Sequence, residues 1–268
     1  VNVSGLEAGG TWEYKIGSGA WTSGSGTSFT ISPAGTYAVG DIQVRQADAA
    51  NNTTTSSNAF AITLDTTAPS VAISTPSTGG LGNDNTIDLT GTVGGNATSV
   101  EIYDGGTLLG TATVTTGTWS FTTSALADGA HSFTAKAIDA AGNATTTAAV
   151  TATVDTIAPA GVGIALNADT GRLNADAKTN DPVANISSLE PGATFEYQVD
   201  GGAWQAATGA SFNLTAGTHT YSARQTDAAG NVGKASAAVS LTLDITPPAL
   251  LASPATAYFV TDLATTLD

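Results

Sequence analysis

One acidic turn is written three times in this chain: "ADAANN" from Ala47 to Asn52, "IDAAGN" from Ile138 to Asn143, and "TDAAGN" from Thr226 to Asn231. The copies stand about 90 residues apart, and self-similarity at a fixed period means that one supersecondary unit has been repeated. Longer stretches agree. "VNVSGLEAGGTWEYKIGSGAW" from Val1 parallels "ANISSLEPGATFEYQVDGGAW" from Ala184, and "GTSFTISPAGTY" from Gly26 parallels "GASFNLTAGTHTY" from Gly209. Boundaries of one kind, "LDTTAP" at Leu64, "VDTIAP" at Val154 and "LDITPP" at Leu243, divide the chain into residues 1–65, 66–155 and 156–244, with 245–268 following. A chain of 268 residues has room for two or three ordinary domains. The middle unit is a cousin of the outer two, with "VEIYDGGTLLGTATVTTGTWSF" in place of the "EYQVDGGAW" pattern.

Within each unit, short alternating runs are broken by Gly, Asp and Asn, the pattern of a β-sandwich. "TFEYQV" puts Phe195, Tyr197 and Val199 on one face, and "HSFTAKAID" does the same for Phe133, Ala135 and Ala137. "DGG" at Asp104 and Asp200 supplies hairpin turns. The fold class predicted is all-β: tandem immunoglobulin-like β-sandwich domains, about seven strands to a complete unit, forming an elongated rod. Glu13, Glu101 and Glu196 fall at one place on the third strand, and Arg45, Lys136 and Arg224 at one place on the sixth. Those strands are neighbours in such a sandwich, so each unit should carry a cross-strand ion pair.

Composition narrows the function. Lys and Arg total 7 against 22 Asp and Glu, a formal charge of −15, which argues against nucleic acid or an anionic membrane surface as partner. No apolar run reaches the length of about 18 residues needed for membrane insertion. There is no Cys, hence no disulfide frame, thiol nucleophile or thiolate metal site. For small domains without disulfides, bound metal is one other route to stability.

The linkers "DTTAP", the run "DGGTLLGTATV" with "GTWSF" and "ALADGAHSFTAKAIDAAGN", and "LEAGGTWEY" resemble the bacterial Ig-like repeats of giant secreted surface proteins. These are the type I-secreted, RTX-type adhesins and biofilm-associated proteins of Gram-negative bacteria. The resemblance covers the three units almost fully. It implies a secreted chain at the bacterial cell surface, stiffened by Ca²⁺ at domain junctions, that holds a distal binding domain away from the cell.

Topology places the acidic turns. In an Ig-like sandwich the last hairpin lies at the pole facing the preceding unit, and the last strand runs to the opposite pole. Asp65 is therefore expected near Asp139, and Asp155 near Asp227. The first turn of a unit faces the other pole, so Asp84 and Asp88 should approach Asp155, while Asp169, Asp176 and Asp181 gather near Asp244. Glu190 would add a carboxylate to the Asp155 junction. Carboxylates with Asn and backbone carbonyls are hard-cation chemistry; Ca²⁺ takes about six to eight oxygen ligands, whereas Mg²⁺ wants a strict octahedron and Zn²⁺ wants Cys or His. The competing reading is plain turn chemistry, because Asp and Asn before Gly cap their own turns.

Candidates for catalysis are weak. His131 and His219 recur at one repeat position, with Gly40 near that place in the first unit, so they read as structural. No Ser-His-Asp arrangement or phosphate loop is present, and the chain reads as a non-enzyme. Trp12 reads as core; Trp21 and Trp204, matched in "GAW", read as covers for a sheet edge, with carbohydrate stacking as the alternative. The Asn-x-Ser/Thr sites at Asn51, Asn96, Asn143 and Asn185 read as chance.

The first unit lacks an opening strand, and residues 245–268 start as a new unit starts, with a possible strand in "AYFVTDL". The chain thus reads as a window on a longer array whose partners are neighbouring Ig-like repeats. The leading expectation is the stalk of a surface adhesin or biofilm protein. The first alternative is a filament subunit in which the tail of one copy completes the first unit of another. A carbohydrate-binding accessory module ranks third.

Overall fold

The computed structural model describes residues 1–170, 173 and 175–249. Among them there are strands and turns but no α-helix, as charged residues at 11% and 31 glycines would favour. The chain forms two compact units, Val1–Thr156 and Ile157–Asp268. The first contains two separate hydrophobic cores and the second contains one.

The core within residues 71–152 lies between two sheets. One sheet runs in the order Thr107–Thr111, Ala97–Asp104, Gly129–Asp139, Val150–Val154, Gly80–Gly82, and the other Thr113–Thr115, Thr118–Thr122, Asp88–Gly94, Ser70–Thr75. Phe133, Ala135 and Ala137 are fully buried on one side of their strand while Lys136 points outward, as period-two alternation requires. Small alanines there leave room for Trp119, which is 2% exposed. Its indole Nε1 donates to the Ala72 carbonyl at 3.1 Å, so the buried N–H has a partner. The ring reaches that carbonyl only because residue 91 is glycine. A Cβ on Gly91 would stand 1.9 Å from the Ala72 oxygen and 2.6 Å from the Trp119 ring.

In the second compact unit, one sheet runs Lys178–Thr179, Val239–Leu243, Gly217–Thr226, Thr194–Val199, Gln205–Ala207, and the facing one Gly163–Leu166, Val183–Ser187, Ser211–Asn213. Phe195, Phe212, Tyr221 and Leu241 fill the space between. The sandwich nearest the N-terminus is leaner. Its main sheet is Thr22–Ser23, Thr11–Ile16, Ile42–Ala47, Thr53–Ser57, while Gly35–Tyr37 pairs with Ile62–Leu64. Trp12, Phe29, Tyr37 and Ile42 make its core, with Tyr14 stacked on Phe29 at 4.2 Å.

The ladders fix a common register. Glu13 lies opposite Arg45, Glu101 opposite Lys136 and Glu196 opposite Arg224, and the pairs close at 2.6, 3.7 and 2.8 Å. Half-exposed pairs of this kind contribute about 0–1 kcal/mol each, so they report register more than they hold the fold. The register corrects one expectation. Counting back from Arg45 puts Gly40 at the histidine position, but Tyr37 occupies it: Tyr37 faces Ile62 as His131 faces Ala152 and His219 faces Leu241. Three extra residues loop out around Ala38–Asp41, where the Asp41 carboxylate caps the Ala38 N–H at 2.7 Å. They split one long strand into Gly35–Tyr37 and Ile42–Ala47.

Gly91→Ala is expected to overpack the middle core and cost about 1–3 kcal/mol. Thermal unfolding followed by near-UV circular dichroism would register it as a lowered melting temperature of the Val1–Thr156 unit.

Candidate functional site

The three acidic turns share one geometry. In each, the Asp N–H donates to the Asn carbonyl four residues on, at 3.0–3.1 Å for Asp48, Asp139 and Asp227. The carboxylate then caps the loop it opens. Asp139 Oδ1 accepts from the Ala141 and Asn143 N–H groups, each at 2.9 Å, and Oδ2 accepts from the Asn143 side-chain amide at 2.9 Å. Asp48 does the same with Ala50 and Asn52, and Asp227 with Asn231. The fourth position needs a left-handed backbone, at φ 66° for Asn51, 89° for Gly142 and 97° for Gly230. That is why Asn can replace Gly in the first copy without loss of the turn.

These contacts favour the charged carboxylate. The Asn143 side-chain amide is the largest influence holding Asp139 below the usual range, and the Asn52 amide acts likewise on Asp48. At Asp227 burial pushes upward, but the Asn231 side-chain and main-chain amides outweigh it and leave the group lowered. A depressed folded value adds stability above the unfolded pKa of about 3.9, lost as pH falls through the folded value.

The middle turn also reaches the boundary before it. The Asn143 side-chain amide, besides holding Asp139, donates to the main-chain carbonyl of Asp65 at 3.0 Å. Asp65 turns its own carboxylate to the Thr67 N–H at 2.9 Å. The "DAAGN" turn and the "DTTAP" boundary thus meet through an amide and a carbonyl. The sequence signal for Asn143 is its fixed place in all three turns, shared with Asn52 and Asn231.

The other acidic candidates are distributed. Asp155 donates its N–H to the Gly82 carbonyl at 3.0 Å, close in sequence to Asp84. Asp84 caps Thr86, and Asp88 accepts from the Thr122 hydroxyl at 2.6 Å. Asp244 donates its N–H to the Thr179 carbonyl at 2.9 Å and caps Thr246. Asp176 caps Lys178, and Asp181 caps Val183 while accepting from Asn167. Asp169 Oδ2 accepts from the Ala175 N–H at 2.8 Å, whereas its Oδ1 is buried and meets no donor among the described residues. Glu190 Oε1 accepts from the Ala160 N–H at 3.3 Å. Among the described residues no three His, Cys, Asp or Glu side chains gather closely enough to share a metal ion. Short Asp side chains reach the N–H groups two residues on more easily than they reach one another.

Two further boundary contacts were missed from sequence. Asp128 Oδ1 accepts from both the N–H and the hydroxyl of Thr156, each at 2.8 Å. Gln225, fully buried, donates to the Ala160 carbonyl at 2.8 Å and accepts from the Glu190 N–H at 2.9 Å. A glutamine on the core side of a strand gave no polar signal, because its partners are main-chain groups distant in sequence.

At the other end of the same strands lie the histidines. His131 sets Nδ1 2.7 Å from Asp104 and Nε2 2.9 Å from the Ala127 carbonyl. His219 sets Nδ1 2.7 Å from Asp200 and Nε2 3.1 Å from the Ala216 carbonyl. Both nitrogens face acceptors, and only the imidazolium donates to two. The Ala127 carbonyl, and with it Asp104, raises the pKa of His131; Asp200, and with it the Ala216 carbonyl, raises that of His219. Trp21 and Trp204 each have one ring face covered by an arginine, Arg45 and Arg224, both at 4.3 Å. The same arginines hold Glu13 and Glu196. The rings therefore serve the ion pairs.

Residues 73–156 match the family model of a bacterial Ig-like domain, and residues 28–107 match a second, the bacterial Ig-like domain of group 3. No curated protein matches the chain. Solved structures similar to it include the fibronectin(III)-like modules of Clostridium thermocellum CbhA, at 20% identity and a TM-score of 0.38, covering 65% of this chain and 94% of that one. Another is a tetra-tandem repeat in the extending region of a large adhesion protein, at 21% identity and a TM-score of 0.29, covering 87% and 66%. A third is a 1.5-MDa bacterial ice-binding adhesin, at 17% identity and a TM-score of 0.41, covering 87% and 85%.

Asn143→Ala removes the side-chain amide bonds to the Asp139 carboxylate and the Asp65 carbonyl and is expected to cost about 1–3 kcal/mol, read as a lower urea midpoint for the Val1–Thr156 unit. For the histidines the sign runs the other way. A raised folded pKa gives stability that is full below the unfolded value of about 6.5 and lost as pH rises through the folded one. The melting temperature should therefore fall as pH is raised from about 6 to 9. A His131→Gln, His219→Gln double variant should show a flatter profile over that range. Residues 73–156 and 28–107 thus match two bacterial Ig-like domain models, and the stretches so matched fold as β-sandwiches.

Proposed function

We propose that this chain is a non-enzymatic extender segment of a large bacterial surface adhesin or biofilm protein, secreted and displayed outside the cell. Its repeats, bounded near Asp65, Asp155 and Asp244, space a distal binding domain from the surface. The observation that carries this reading is the bond from Asn143 to the Asp65 carbonyl. The turn of one repeat grips the main chain that leaves the repeat before it, so the linker has a fixed course. The covered faces of Trp21 and Trp204 weigh against a carbohydrate-stacking module. The −15 charge weighs against nucleic acid as a partner.

Calcium is the second part of the proposal. The residues that would hold it are Asp169, Asp176 and Asp181 with Asp244, where the buried Asp169 Oδ1 meets no donor among the described residues. The ion would add a hard charge that draws Asp169, Asp176 and Asp181 together.

Replacement tests the spacer role. Deleting residues 1–249 from the host protein should abolish cell adhesion, and an unrelated Ig-like array of equal length should restore it. Failure of every foreign array would overturn the reading. Calcium is tested by melting the chain in EDTA and then in excess CaCl₂. Saturation at about 100-fold over Kd should add about 2.7 kcal/mol, and coincident curves would remove calcium from the account.

A further inference from the structure

Three Asp–Gly bonds occur in this chain: Asp104–Gly105, Asp128–Gly129 and Asp200–Gly201. Such a bond is open to one spontaneous reaction. The glycine nitrogen has no neighbouring side chain to crowd it, so it can attack Cγ of the preceding carboxyl group. The N–H proton and the carboxyl hydroxyl leave as one water, and a five-membered succinimide closes. Water then reopens the ring at either carbonyl. One opening restores aspartate; the other gives isoaspartate, whose main chain runs through Cγ and is one carbon longer. A hairpin registers that carbon at once, because loop length sets strand pairing. In the middle sandwich only Gly105 and Gly106 separate Asp104 from its ladder partner Thr107.

Both hairpin aspartates are held from the neighbouring strand. Asp104 sets Oδ2 2.7 Å from His131 Nδ1, and its Oδ1 accepts from the Ser132 N–H at 2.8 Å. The Gly105 N–H, the attacking group, donates to the Ser132 carbonyl at 2.9 Å. Asp200 sets Oδ2 2.7 Å from His219 Nδ1, and its Oδ1 accepts from the Thr220 N–H and hydroxyl at 2.8 and 3.1 Å. To bring Cγ onto the glycine nitrogen, each carboxylate must leave these partners. Asp128 is held differently: its Oδ1 accepts from the N–H and hydroxyl of Thr156.

The repeats pair the histidine with the Asp–Gly turn. Asp104 follows Glu101 by three residues and Asp200 follows Glu196 by four, so the two turns differ. Each carboxylate nevertheless meets the histidine that stands five residues before Lys136 or Arg224. In the N-terminal sandwich both features are replaced together. Gly17–Ser18 of "KIGSGAW" stands where "QVDGGAW" has Asp200–Gly201, and Tyr37 takes the histidine place. We propose that Asp104 and Asp200 are latent isomerisation sites, and that His131 and His219 are positioning residues that keep them as aspartate. The imidazolium supplies the charge-assisted bond that a main-chain N–H alone does not. This role is separate from the extender role, which stands or falls by the replacement test alone.

The test is to age the folded chain for weeks at neutral pH and physiological temperature, and to read isoaspartate at each site by peptide mass mapping. His131→Phe keeps the ring that lies against Phe133 and removes both nitrogens. Isoaspartate at Asp104 should rise about tenfold, the factor by which loss of one charge-assisted bond frees the carboxylate. Asp128 and Asp200 in the same molecules should keep their unmodified-chain levels. His219→Phe should raise Asp200 alone; it lies in the other compact unit, so it decides the matter even where the first variant does not fold. Gly91→Ala, which loosens the middle core without touching the clip, should leave Asp104 unchanged. No rise at the site whose histidine is lost, an equal rise at all three sites, or a rise at Asp104 with Gly91→Ala as large as that with His131→Phe would each overturn the proposal.

Discussion

The pairing of the third strand with the sixth, Ala97–Asp104 with Gly129–Asp139 in the middle sandwich, is the constraint on which the rest depends. The sixth strand is a ruler. Its near end carries His131 on Asp104, its middle carries Phe133, Ala135 and Ala137 inward with Lys136 outward against Glu101, and its far end opens the Asp139 turn. A slip of one residue would turn the whole set over, burying Lys136 and exposing Phe133. The ion pair, the histidine clip and the boundary turn are thus read out from one ladder. The N-terminal sandwich shows how separable they are. Three looped-out residues between Tyr37 and Ile42 shift the near end and replace the histidine, but they leave Arg45 on Glu13 and Asp48 on its turn.

Negative charge is handled locally. The acidic side chains outnumber basic ones by 22 to 7, and most of those at turns and boundaries accept main-chain N–H bonds within a few residues. Each such bond orders a turn that Gly alone would leave loose, and at Asp48, Asp84 and Asp139 the bonds favour the ionised form. The same economy explains the boundaries. Linker groups of "DTTAP" and "DTIAP" find partners beyond the strands that they leave: Asn143, Asp128 and Gln225 bond to Asp65, Thr156 and Ala160. Buried main-chain groups left unpaired would each cost about 1–3 kcal/mol.

Aromatic residues divide by the same logic. Trp119 and Trp12 lie in cores, and each demands a glycine against its ring, Gly91 and Gly24. Trp21 and Trp204 lie outside, laid under the arginines of the cross-strand pairs. In the middle sandwich, Tyr103 donates to Glu101 at 2.7 Å instead, consistent with a unit that departs from the "GAW" pattern.

Much was legible in the sequence. The period, the sandwich class, the inward faces of "HSFTAKAID" and "TFEYQV" and the Glu-to-Arg or Lys register all follow from repetition and from period-two alternation, which are local and cumulative. Other features were not. The Gly40 position failed because an insertion within a strand preserves the flanking pattern while shifting the count. The tendency of Asp to bind its own turn could be named as an alternative, but sequence could not say which carboxylates it would claim. By itself, then, the sequence determined the sandwich class and which side chains face inward, because those depend on neighbours along the chain. Only the tertiary structure decided that Asn143 meets the Asp65 carbonyl, that Gln225 is buried against Ala160, and that His131 meets Asp104. Each of those is a meeting of atoms from distant segments, and no spacing along one strand encodes it.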